Sequence, residues 1–340
     1  MKTGVKWLAA LGKSAIALFI MAAASLVAGF IMIFARHDLD VYEGLYLTLY
    51  AFAMIAMFIF AIYKTNLVDS RPANRLKRQA LSGFDVFWLV IIAMGLLGLT
   101  TLYLVAADAI ASINSTVNEA VNEYNDSMER GAAETPDRIP NWDHWLYFFV
   151  SFLIIPLAEE LMFRGVVLEA FAKVTRPRIA ILMSAIIFGL LHGVSVQIGY
   201  ALICGIVLGA VYWICGSIYA SYLVHAVFNF FGAALYTLLD SGAVGKVSDG
   251  AMDNIFGAVF MVEMASIIPL FIAFSFLMSR HGMGRSKKQS ADVAADKPIS
   301  QAVESRDYYE PQRSPVPRRR IGFFALYDED EYDMKEDSDE

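Results

Sequence analysis

Eight runs of about twenty mostly apolar residues fill most of this chain, at roughly 14–35, 44–63, 86–106, 145–172, 179–196, 198–216, 218–239 and 255–279. A hydrocarbon core about 30 Å thick is crossed by about 20 helical residues, because each adds about 1.5 Å of rise. Lipid offers no partner for exposed backbone N–H and C=O groups, so repeated runs of this length select helices. The first run follows Lys2, Lys6 and Lys13, as a signal peptide would, but it is longer than a signal core and lacks a clear small-residue cleavage site. It is read as a span. The predicted fold is therefore all-α: a polytopic membrane protein with about eight transmembrane helices in residues 1–283, followed by a disordered acidic tail, 284–340.

Composition agrees with this class. Hydrophobic residues make up 57% of the 340 positions and charged residues 18%, where a soluble domain carries about a quarter charged. The net charge of −7 comes mainly from the acidic end, Asp328–Glu340. It gives no reason to expect a nucleic-acid partner. The two cysteines, Cys204 and Cys215, fall in one run, about 16 Å apart along a helix and too far for a disulfide. Both are expected to be packing residues.

Orientation is set by the basic residues at span ends. Lys2, Lys6 and Lys13, then Lys64, Arg71, Arg75, Lys77 and Arg78, then Lys173, Arg176 and Arg178, then Arg280, Arg285, Lys287 and Lys288 fall on one side. The other side holds Arg36, Arg130, Arg138 and Lys246 among acidic residues. This places both termini in the cytoplasm and the spans in the plasma membrane. In the longest external loop, 107–143, Ile110, Ile113, Val117, Val121, Tyr124 and Met128 recur at helical spacing. They predict an amphipathic helix on the outer leaflet or on the bundle, with a lid as the sharper alternative. Pro136 and Pro140 end it, and Trp142 and Trp145 are candidate interfacial anchors. In the tail, Ile321–Tyr327 is a short apolar run among charges, a candidate docking segment for a protein partner.

Ionisable groups inside a bilayer are costly and mark function by default. His37, His144 and His281 sit at span ends, whereas His192 and His225 fall inside the fifth and seventh runs. The fourth run contains Glu159, Glu160 and Arg164. Glu160 and Arg164 are four apart, share a helix face and are expected to pair. Glu159 lies about 100° further round and lacks that partner, leaving it available as a general base or acid. His225 and Asn229 share a face of the seventh span by the same spacing. Three chemical readings are open. In a hydrolytic site, Glu159 and His192 hold a water while His225 and Asn229 donate to an oxyanion. In a metal site, Glu159, His192 and His225 ligate Zn²⁺. In an ion pathway, the same groups relay protons. A purely structural interhelical network is the remaining alternative. Glu263, inside the last span, has no assigned partner.

These residues resemble the motifs of the CPBP family of intramembrane proteases, which includes the CAAX prenyl endopeptidases and bacterial proteins linked to bacteriocin processing or self-immunity. The family's EExxxR, FxxxH and HxxxN patterns correspond to Glu159-Glu160-Leu161-Met162-Phe163-Arg164, Phe188 to His192, and His225 to Asn229, in order and on separate spans. The resemblance covers about 144–240. It implies an endopeptidase acting on a membrane-associated or lipidated protein, with Glu159 activating water, His192 assisting, His225 and Asn229 stabilising the oxyanion, and Glu160 and Arg164 in support. It leaves open whether a metal takes part. A non-catalytic immunity or interaction protein of the same family is the second expectation, and an ion-coupled transporter the third.

Overall fold

The computed structural model describes residues 2–38, 41–64, 81–133, 139–193 and 195–295. They form nine helices: α1 (Lys2–Phe34), α2 (Glu43–Lys64), α3 (Gly83–Ala111), α4 (Ser115–Ala133), α5 (Asn141–Ala172), α6 (Pro177–Leu190), α7 (Ser195–Cys215), α8 (Ile218–Asp240) and α9 (Asp249–Ala295). No strand occurs among the described residues. The protein is an all-α multi-pass membrane protein. It divides into one compact unit, Met1–Ser290, and a second, Ala291–Glu340. The predicted boundary at 283 falls within α9. Most of the tail, including Ile321–Tyr327, lies outside the described residues.

Packing is inverted relative to a water-soluble bundle. On α1 the buried positions are mainly small: Ala10, Ser14, Ala17, Ala24 and Ala28, each 4% exposed or less. Leu8, Phe19 and Phe30 on the same helix are at least 70% exposed. In water this would place large apolar side chains where they are least stable. In lipid they are solvated by acyl chains, and small residues let helices approach. The same logic holds between α3 and α9. A Cβ at Gly98 would lie 2.5 Å from the Glu263 carbonyl oxygen, so the absent side chain is what allows the two backbones to meet.

Helix ends are tied together by carboxylates. The Asp143 side chain, near the start of α5, accepts hydrogen bonds from the Gly44 and Leu45 N–H groups at 2.8 Å each. It thus satisfies two of the orphan donors that open α2. Ser82 and Asp85 form a reciprocal capping box at the start of α3. Asp85 also meets Arg280 at 3.2 Å and His281 at 3.3 Å, which joins α3 to α9.

Two details of the expected layout differ. Among the described residues, seven helices have the length and apolarity to cross a membrane, and an eighth apolar helix is shorter. The predicted fifth span, 179–196, is the 14-residue α6, about 21 Å long. Its apolar run continues in sequence, but the helix does not: Gly193 adopts φ +80° in a turn that most side chains resist. Consequently His192 lies in the turn after α6 rather than inside a span. In the loop expected at 107–143, Ile110 belongs to α3 and Ile113 is 87% exposed in the following turn. The predicted amphipathic helix is α4, whose Val117, Val121 and Tyr124 pack on Tyr103, Leu104, Ala107 and Val196. It therefore rests on the bundle.

Candidate active site

The site is built around three interruptions of regular helix. Val150–Ile154 and Phe163–Leu168 within α5, and Phe230–Ala234 within α8, are π-helical. Such stretches shift the hydrogen-bond ladder by one residue, rotate the next turn of helix and free backbone carbonyls. The first has a chemical cause in the sequence. In the π register, Ile155 N–H bonds to Val150 O, so the Ser151 carbonyl falls to residue 156, which is Pro156 and has no N–H. The Asn229 amide takes that carbonyl instead, donating from Nδ2 at 3.0 Å. A proline on α5 thus locates an amide on α8.

Glu160 is fully buried and lies 2.7 Å from Arg164 Nη1. Arg164 also donates from Nη2 to the Gly205 carbonyl of α7 at 3.4 Å and stands over the Phe188 ring at 5.3 Å. The expected i, i+4 ion pair is therefore present, and it is clamped from two further helices. His225 spans both carboxylates: Nδ1 is 3.0 Å from Glu160 Oε1, and Nε2 is 3.6 Å from Glu159 Oε2. Glu159 is thus not without a neighbour, a correction to the spacing argument, which could not see across helices. Its side chain is 20% exposed, where that of Glu160 is 0%.

Hydrogen-bond partners decide the imidazole tautomers. A carbonyl only accepts, so His192 Nδ1, 2.8 Å from Phe188 O, carries a proton. The neutral ring then presents a lone pair at Nε2. Glu160, already paired with Arg164, likewise accepts a hydrogen bond from His225 Nδ1, which therefore carries a proton. His225 Nε2 is a donor only when the ring carries both protons. Phe188 explains the first letter of FxxxH: its ring lies 4.6 Å from His192 and 6.0 Å from His225, centroid to centroid, and beneath Arg164.

Glu159, His192, His225 and Asn229 all line one cavity of about 550 Å³, together with Ser151, Phe188, Tyr124, Tyr147, Tyr200 and Cys204. Glu160 and Arg164 lie behind this wall. The arrangement supplies a partly exposed carboxylate, an imidazole acceptor and two amide or imidazole groups facing shared space. Those are the parts needed to activate a water and to hold a developing oxyanion. As metal ligands the set fits poorly: among the described residues no three His, Cys, Asp or Glu side chains are grouped to hold an ion.

Residues 140–231 match the family model described as type II CAAX prenyl endopeptidase Rce1-like. The segment is thus similar to the Rce1-like family. The match takes in α5 from its first turn, α6, α7 and α8 as far as Phe231, and so all three motifs. Neither a curated protein nor a solved structure matches the chain. The Rce1-like segment supports a CAAX-type membrane peptidase at the level of the family.

Sequence reasoning missed two features of the cavity. The Pro156–Ser151–Asn229 linkage was signalled only by a proline within an apolar run. Thr101 donates to Glu263 Oε1 at 3.0 Å across 162 positions of sequence, a pairing that spacing cannot reveal.

Proposed function

We propose that this protein is an intramembrane endopeptidase that cleaves a membrane-associated or lipidated peptide without a catalytic metal. The observation that carries the reading is the joint exposure of Glu159, His192, His225 and Asn229 to one cavity, with Glu160 and Arg164 packed behind them. Water enters between Glu159 and His192 Nε2. Glu159 takes its proton as the oxygen attacks the peptide carbonyl carbon, and returns it to the leaving amine. Asn229 Nδ2, with one N–H held by Ser151 O, offers the other to the oxyanion. His225 donates from Nε2 when doubly protonated. The chain sits in the plasma membrane with both termini cytoplasmic, as its basic loops direct.

The test is cleavage of a peptide library by purified protein in detergent. Glu159→Gln is expected to slow turnover by about 10²–10⁴-fold, and Asn229→Ala by about 10²–10³-fold. His192→Ala should also be impaired. If Glu159→Gln and His192→Ala both cleave like the parent, the hydrolytic reading fails. Stoichiometric zinc lost on His225→Ala would replace the oxyanion role with a metal one.

A further inference from the structure

Glu263 belongs to no motif, yet it faces the same cavity as Glu159. Its neighbours on α9, Met261 and Val262, are 67% and 51% exposed, whereas Glu263 is 7% exposed. One carboxylate oxygen accepts from Thr101. The other has no hydrogen bond from a described residue, nor is it sealed from the cavity. No Lys or Arg is among the described residues that line this space. A second cavity of about 500 Å³ shares Phe231, Gly232 and Phe256 with the first and is lined by Asp240, Asp249 and Asp253. These three are exposed, at the facing ends of α8 and α9. Four carboxylates therefore mark one route from the end of the bundle to Glu159, and no lysine or arginine lines it among the described residues.

A buried carboxylate needs a partner to remain charged. Where the protein supplies only a hydroxyl, the ligand is the remaining source of a cation. We infer that Glu263 is a specificity-determining residue that pairs with a lysine or arginine side chain of the substrate peptide, and that Asp240, Asp249 and Asp253 attract that charge at the entrance. The exposed aspartates act at long range and weaken with salt. Glu263, inside the cavity, sets the position of the cation relative to the cleaved bond. The inference rests on reading the cavity as a peptide site.

The experiment measures binding rather than cleavage, so the two readings fail separately. Uncharged apolar peptides carrying one lysine, moved stepwise along the sequence, are compared with the same peptides carrying norleucine. Each is titrated against full-length Glu159→Gln protein in detergent. One lysine position should bind about tenfold or more tightly than its norleucine counterpart. Adding Glu263→Gln, which keeps an acceptor for Thr101, should abolish the difference. Glu263→Lys should transfer the preference to a glutamate at the same position. Equal affinities for lysine and norleucine peptides at every position would overturn the inference, and that comparison needs no Glu263 variant to fold. A preference that survives Glu263→Gln would overturn it as well. Lysine preference in a protein that never cleaves would remove the peptidase reading alone.

Discussion

At the residue scale, the burial of Arg164 is the hardest feature to explain without function. It is 1% exposed, paired with Glu160, and held by a carbonyl and an aromatic face. A buried ion pair is seldom more stable than apolar residues of the same volume, while half of one is costly. Arg164→Met is therefore expected to lower stability by about 3–5 kcal/mol, because Glu160 keeps only His225 and the Ser221 hydroxyl. The double variant Glu160→Gln with Arg164→Met should recover most of that loss, since both charges leave together. Thermal unfolding in detergent of the two variants checks the coupling. The pairing was legible from the four-residue spacing. The bridging of both carboxylates by His225 was not, because it depends on the rotation of α8 against α5.

At the scale of elements, the π-helical stretches show how a strained local register serves geometry. Pro156 withholds the N–H that would close on Ser151 O, and Asn229 supplies its own. Replacing the proline restores a competitor. Pro156→Ala should raise the melting temperature, since proline is about 3 kcal/mol worse than alanine within a helix. It should also slow cleavage by about tenfold, as Asn229 loses its anchor. A variant that is both more stable and slower separates positioning from folding, whereas unchanged turnover would detach Ser151 from the site. Helix periodicity located α5 and α8 but is blind to a one-residue slip in the ladder. Only the proline hinted at it.

For the whole molecule, apolar run length identified every long span but misjudged α6, because a run counts residues and not where the backbone turns. Its 14 residues are too few for a full crossing, so the turn carrying His192 is expected to lie at membrane depth. Irregular backbone is tolerated there only where protein or a water-filled cavity surrounds it. The cavity is also lined by Tyr124 of α4 and by Phe231, Phe256 and Phe260 near the α8–α9 connection, so it opens towards that end of the bundle. Under the proposed orientation, with both termini cytoplasmic, this end would be extracytoplasmic. A cysteine at Leu191, which is 39% exposed, tests depth and side together in a chain whose Cys204 and Cys215 are changed to alanine. A membrane-impermeant thiol reagent should label it in intact cells, and a peptide bound in the cavity should slow the labelling. Labelling only after permeabilisation would reverse the orientation. If neither condition labels it, the turn is sealed in lipid or protein, and water does not reach His192 from that end.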